Sequence, residues 1–376
     1  MIYLDNAATT LQKPSSVAKA MEQALLCCAN PGRGGHRPAM KAAELVYDCR
    51  QAAAELFGLD TPERVVFTLN ATHSLNLAIK SLLHRSGHAV ISGYEHNSVV
   101  RPLEALAEQG VTYTVAEAPL FSPEALCHAV EAAIRPETRC IIVTHVSNVF
   151  GYVLPLEQLS ELCMARGLPM VVDASQSAGI LPLKCESLPA AAFFCMPGHK
   201  ALYGPHGTGL LLCCKDTELY SLMQGGTGSL SLETRQPDFL PDALESGTLN
   251  VPGIAGLREG IRFVTKHREE IFLREKALLR RTADLLSDLP LELFYQEDCQ
   301  SGVLSFRVKG REPEAICQAL AGRGVCVRGG LHCAPLAHRT AGTLPDGTVR
   351  LSFSAFNTRE ETEQLARILK ESLKTC

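Results

Sequence analysis

The stretch CMPGHKALYGPHGTGLLL, residues 195–212, decides how the chain is read. An apolar run, Ala190–Phe194, precedes it, and a second, Leu210–Cys214, follows. The pattern predicts strand, loop, strand, with Lys200 in a glycine-broken loop beside a buried sheet. A lysine held there suits an amine kept partly desolvated, so that its neutral form attacks a carbonyl. A solvated loop lysine is the plainer reading of the same residue, and the flanking sequence has to decide.

Toward the N-terminus, short apolar runs alternate with amphipathic stretches. Val65–Thr68, Ala89–Ser92, Val111–Val115, Cys140–Val146 and Met170–Asp173 read as strands. Thr72–His84, Ser98–Gln109, Pro123–Ile134 and Pro155–Arg166 read as the helices between them. This alternation predicts an α/β fold: a large, mostly parallel sheet covered by helices on both faces. Ligands of such sheets collect at the carboxyl ends of the strands. Met1–Thr10 reads as an extended arm and Asn30–His36 as a loop. A helix opens at Pro14-Ser15-Ser16, and another covers Ala39–Phe57 and closes at Gly58.

Beyond the hairpin, Gly225–Leu244 is polar and glycine-rich, which suits an exposed loop or a subunit contact. A long helix is expected from Pro252 to about Leu286. A smaller α/β unit with antiparallel character follows. Its expected strands are Leu291–Tyr295, Val303–Val308, Val325–Arg328 and Val349–Ser354, and its helices Pro313–Arg323 and Arg359–Leu373. The expected division is residues 1–255 for the arm and large domain, and 256–376 for a helical linker and small C-terminal domain.

At 376 residues, with 46% hydrophobic and 20% charged residues, the composition suits a globular enzyme with a large core and argues against disorder. The net charge is −4 with no basic block, so neither nucleic acid nor a membrane surface is indicated as a partner. No apolar run approaches the roughly 18 residues of a spanning helix. The opening MIYLDNAATT has no apolar leader core. The 15 cysteines include no C-x-x-C pair, so neither a zinc site nor a secreted disulfide framework is visible. Reduced thiols and a cytoplasmic location are expected, with no metal.

Three further motifs fall just after predicted strands. Asn70-Ala71-Thr72-His73-Ser74 stands between a strand and a helix start, where free N–H groups and the Thr72 hydroxyl suit a phosphate; simple N-capping suits them too. His96, in Tyr94-Glu95-His96-Asn97-Ser98, suits stacking on a planar ligand or a hydrogen-bonded loop role. Asp173 ends an apolar strand with Gln176 close behind, which suits a protonated pyridine nitrogen or a cap for the next segment. A lysine that forms an imine, a pyridinium-binding aspartate, a phosphate site and a stacking histidine together are what pyridoxal 5′-phosphate (PLP) requires.

The order of these motifs resembles the cysteine desulfurases and selenocysteine lyases, class V aminotransferase-like members of the fold-type-I PLP enzymes. The resemblance covers nearly the whole chain and is carried by Tyr3–Thr10, Pro197-Gly198-His199-Lys200 with Tyr203-Gly204-Pro205, Glu245–Asn250 (ESGTLN) and Arg328–Ala334 (RGGLHCA). The last is similar to the cysteine loop of the Suf-type second class. The resemblance implies that Lys200 carries the cofactor as an imine, Asp173 pairs with the ring nitrogen and Gln176 with the ring hydroxyl. It implies that His96 stacks on the ring and handles protons on the substrate thiol. Ala71, Thr72 and His199 would hold the phosphate, and Thr248 the phosphate of a partner subunit in a homodimer. Asn148 would lie near cofactor and substrate, and Arg350 would clamp the substrate α-carboxylate, with Arg328 nearby. Cys333 would take sulfur from L-cysteine as a persulfide, releasing L-alanine, and pass it to an acceptor protein or a reductant. His332 and Arg328 would favour the Cys333 thiolate.

Two positions depart from the pattern. Pro197 replaces a serine, removing one phosphate hydroxyl, and Leu331 replaces the first of two paired histidines, which alters thiol activation. A selenocysteine lyase would run the same chemistry on a softer leaving atom. A class V aminotransferase or other PLP lyase would release no sulfide. A non-catalytic scaffold would not need Lys200, Asp173 and Arg350 intact.

Overall fold

Apolar runs buried on both faces pair side by side into one seven-stranded sheet. The computed structural model describes residues 1–32, 34–84 and 86–375. Arg33 of the expected loop and the last cysteine, Cys376, lie outside the described residues. The chain starts with β1 (Ile2–Tyr3), α1 (Ser15–Cys27) and α2 (Arg37–Phe57). Strands and helices then alternate: β2 (Val65–Thr68), α3 (Ala71–Leu83), β3 (Gly87–Ser92), α4 (Asn97–Ala107), β4 (Val111–Ala116) and α5 (Pro123–Ala133). The alternation continues through β5 (Thr138–Thr144), α6 (Leu156–Arg166), β6 (Met170–Asp173), β7 (Ala191–Pro197) and β8 (Gly209–Cys213). The sheet order is β2-β8-β7-β6-β5-β3-β4. All neighbours are parallel except β8, which is antiparallel to β2 and β7. Every residue of β6, β7 and β8 is buried, as expected for strands covered by helices on both sides.

The hairpin forms as expected, but β7 runs past Phe194 to Pro197. Cys195, Met196 and Pro197 continue the ladder against Leu211, Leu210 and Gly209. Because β8 reverses direction, the ends of β2 and β7 meet its beginning: Thr68 and Pro197 both pair with Gly209. The carboxyl ends of the six mutually parallel strands therefore share one edge.

Helix α7 (Val251–Leu286) is 36 residues long, about 54 Å at the usual rise. It passes through residue 255 without a break. Its first half contributes Ile254, Leu257, Ile261 and Val264 to the core under the large sheet. Its second half contributes Leu278, Leu279 and Leu286 to a separate core with Leu304, Phe306, Leu351 and Leu365. That second core is shared with β9 (Glu292–Phe294), β10 (Val303–Arg307), α8 (Pro313–Ala321), β11 (Val325–Cys326), β12 (Val349–Ser352) and α10 (Arg359–Thr375), whereas α9 (Pro335–Thr340) packs Leu336 and Ala337 into the cores of the large sheet. Strands β12-β10-β9 form the expected antiparallel sheet. The N-terminal arm joins this unit: β1 pairs with β11, and Ile2 and Leu4 pack in its core. Gly260 of α7 lies against the Lys200 loop, where a Cβ would clash with the Leu202 carbonyl oxygen.

The motif Glu245–Asn250 has a structural anchor at each end. The Glu245 carboxylate accepts from both terminal guanidinium nitrogens of Arg50, Nη1 and Nη2 (2.8 and 2.6 Å), and from the Phe67 N–H (2.6 Å), locking α2 to β2. Asn250 caps α7 by accepting from Gly253 N (3.0 Å). Among the described residues every cysteine is a free thiol, no cluster could hold a metal ion, and no helix is long and apolar enough to cross a membrane.

Candidate active site

The strand ends along the shared edge converge on one cavity of about 110 Å³. It is lined by Ala71 and Thr72 at the start of α3, His96 after β3, Asn148 after β5, Asp173 and Gln176 after β6, and His199 and Lys200 after β7. Eight of the residues singled out from the sequence are thus brought together. Each follows a strand because the strand's apolar residues are held inside, and the first polar residue emerges at its end.

Lys200 is partly buried, and burial pushes its pKa down from 10.5 to about 8; Asp173 opposes this and Arg350 adds to it. Asp173 is buried at the end of β6, and its Oδ1 accepts from the Ser175 N–H (2.9 Å) and hydroxyl. Its Oδ2 accepts nothing from the described residues and is open to a protonated ring nitrogen. Burial also pushes His96 to about 4, against the pull of Asp173, so the ring is neutral at physiological pH. His96 Nδ1 caps α4 by accepting from Ser98 N (3.0 Å). His96 is therefore both a cap and a cavity residue, and the two readings of the sequence do not compete.

At α3, Asn70 accepts from His73 N (3.0 Å), while the N–H groups of Ala71 and Thr72 donate to no described residue. The helix start thus keeps two free donors at its positive end. Thr72 Oγ1 lies 2.7 Å from Ser98 Oγ, which brings into the cavity a hydroxyl to which the sequence alone assigns no role. His199 is pushed down to about 4, chiefly by burial and then by Lys200, and its buried Nδ1 has no hydrogen-bond partner.

The N-terminal arm reads in the sequence as a plain extended segment, yet it grips the site. The His199 carbonyl accepts from Thr10 N (3.2 Å), Thr9 Oγ1 (3.2 Å), Thr10 Oγ1 (3.1 Å) and Lys13 Nζ (3.3 Å). Gln176 Nε2 donates to the Ala7 carbonyl (3.0 Å). The peptide before Lys200 is thereby fixed from outside its own loop. The motif Tyr3–Thr10 is the signal in the sequence, but it does not disclose what its members do.

Arg350 is nearly fully buried outside the cavity lining. Its Nη1 donates to the Asn148 carbonyl (3.0 Å), its Nη2 to Asp5 Oδ1 (2.8 Å), and its Nε has no partner. Arg328 forks onto the same Asp5, from Nε (3.0 Å) and Nη2 (2.8 Å) to Oδ2. Both arginines thus answer to one aspartate to which the sequence alone gives no role.

Cys333 is exposed and sits beside this group. Its carbonyl accepts from Asn97 N (2.8 Å), one residue from His96, and the His332 carbonyl accepts from Asn148 Nδ2 (2.8 Å). His332 and Cys333 both hold left-handed backbone, φ 49° and 56°, a costly conformation for residues with side chains. The expectation that His332 supplies positive charge to the thiol is not met. Its ring is turned inward, with Nε2 on the Thr348 carbonyl (3.1 Å), and burial plus Arg350 hold it neutral, well below the usual histidine range. Thr248 is also apart from the cavity: it is exposed and lines a separate groove with Leu69, His73 and Asn250.

The residues present fit PLP on two structural counts: the free α3 donors and the unpartnered His199 Nδ1 suit a phosphate, and the open Asp173 Oδ2 suits a pyridinium. Burial also lowers the Lys200 amine to about 8, which raises its neutral fraction. Fold and site together are those of the fold-type-I class, a class of PLP enzymes. Residues 2–365 match the family Aminotransferase class-V, and the chain belongs to that family. A probable cysteine desulfurase of Methanothermobacter thermautotrophicus is 32% identical over 98% of this chain and 94% of its own length. Cysteine desulfurase IscS of Serratia proteamaculans is 31% identical over 99% of this chain and 92% of its own. The apo structure of a cysteine desulfurase from Thermococcus onnurineus superposes with a TM-score of 0.92 at 31% identity, covering 100% of this chain and 95% of that one.

Proposed function

We propose that the protein is a PLP-dependent cysteine desulfurase that converts L-cysteine to L-alanine and takes the sulfur on Cys333. The observation that carries this reading is the docking of the Cys333 loop onto Asn97, beside His96 and the Lys200 cavity. The names of full-length relatives support it.

PLP bound in the cavity supplies an electron sink for the charge left when an amino acid loses its Cα proton. Lys200 holds the cofactor and then, with a pKa of about 8, takes the Cα proton and returns it. Asp173 would keep the ring nitrogen protonated, and Gln176 would meet the ring hydroxyl. The Ala71 and Thr72 donors and His199 bind the phosphate. Arg350 receives the substrate α-carboxylate through its unpartnered Nε, with Asn148 fixing the other edge of the guanidinium. Neutral His96 accepts the proton of the substrate thiol. The Cys333 thiolate attacks the substrate sulfur: the S–S bond forms, and the Cβ–S bond breaks with its electron pair left on carbon, where the bound cofactor would draw it off; the proton held on His96 is then delivered to Cβ to complete the alanine methyl, and a persulfide remains on Cys333. The left-handed pair at His332 and Cys333 holds the thiol at the loop surface, where placement gives a large effective molarity and leaves the sulfur open to an acceptor thiol.

The working form is a homodimer in the cytoplasm, with Thr248 reaching the phosphate of the second copy. Exposed apolar residues in the adjoining loop, Met223, Leu232 and Phe239, support an interface there. Intact-mass analysis after incubation with L-cysteine tests the reading. One or more added sulfur atoms on the peptide carrying Cys333, with alanine released in step, are expected; alanine without sulfur on that peptide would refute it.

A further inference from the structure

Arg350 is 2% exposed, a degree of burial at which a cation needs a counter-charge. Asp5 supplies it from the N-terminal arm. Its Oδ1 accepts from Arg350 Nη2 (2.8 Å), and its Oδ2 from Arg328 Nε (3.0 Å) and Nη2 (2.8 Å). Asp5 cannot swing away, because its backbone bridges Ser352 and the Ala7 N–H donates to Ser352 Oγ (2.8 Å). Two guanidinium groups against one fixed carboxylate leave a single positive charge. One donor of this group, Arg350 Nε, is buried with no partner. The cluster is thus both one charge and one hydrogen bond short of balance, and a single carboxylate supplies both. The other cation that faces the cluster electrostatically is Lys200.

We propose that Asp5 is the resident counter-ion of the substrate-carboxylate subsite and sets its charge, so that the subsite takes one carboxylate and holds it loosely enough to release product. This rests on the reading that Arg350 receives the substrate carboxylate. Asp5 is a specificity-determining residue: it touches the arginines and acts on the ligand through charge.

The test is calorimetric titration of the PLP-loaded protein with L-alanine and with ethylamine, which is the same amine without the carboxylate. Asp5→Asn keeps the shape and an acceptor oxygen but removes the charge, and R328Q removes one opposing charge. The Kd for L-alanine is expected to fall about tenfold in D5N and to rise about tenfold in R328Q. The Kd for ethylamine should stay within about twofold in both. Weaker L-alanine binding in D5N, or parallel shifts for ethylamine, would mean a purely structural role and overturn the proposal. R328Q alters a half-exposed side chain and remains decisive even if D5N does not fold: an unchanged L-alanine Kd there also overturns it. Sulfide release from L-cysteine is measured separately. Opposite L-alanine shifts in a protein that releases no sulfide would uphold the subsite and refute the desulfurase reading.

Discussion

Cofactor uptake by the apo-protein should follow the titration of Lys200. Only the neutral amine attacks the aldehyde. With a pKa of about 8 in place of 10.5, about 9% of Lys200 is neutral at pH 7, against about 0.03% for an ordinary lysine, roughly a 300-fold advantage. The sign follows from burial: desolvation disfavours the charged form, so the proton leaves at lower pH. Stopped-flow absorbance of PLP mixed with apo-protein, from pH 6.5 to 10, reads the rate. It should climb about tenfold per pH unit at the acid end and level off above about 8, while Nα-acetyl-lysine keeps rising to about 10. Asp173 holds the Lys200 pKa up, so D173N should move the plateau to lower pH. A protein rate that climbs with the free lysine through pH 10 would refute the claim that burial lowers the pKa of this amine.

Cys333→Ser should keep the absorbance of bound PLP and lose at least about a hundredfold of sulfide production from L-cysteine, measured with a thiol reductant present. Glu245→Ala should strip the counter-charge from Arg50, whose pair is 9% exposed on each side, and cost about 3–5 kcal/mol, read as a lower guanidinium unfolding midpoint. Gly260→Ala should force α7 off the Leu202 carbonyl, costing about 1–3 kcal/mol and slowing cofactor uptake through the displaced Lys200 loop.

The large sheet is legible because its strands are apolar runs buried on both faces, and their ends announce where polar residues gather. Asp173, His96 and Lys200 can be placed at those ends without any contact being known. What stays hidden is non-local. Asp5 and Arg350 are 345 residues apart, and no local pattern says that one carboxylate will serve two arginines. The clamp on the His199 carbonyl is built from common residue types, Thr9, Thr10 and Lys13, whose role appears only when the arm folds back. Helix α9 escapes because its six residues, behind a proline, are too few to show a helical period. The neutrality of His332 escapes because it depends on which way the ring turns. Continued pairing opposite Leu210 and Gly209 carries β7 into residues that read as loop.

Borohydride reduction of the PLP-loaded protein, followed by peptide mass analysis, tests the central claim most directly. The pyridoxyl group should be found on Lys200; its capture on any other lysine, or on none, would contradict the account.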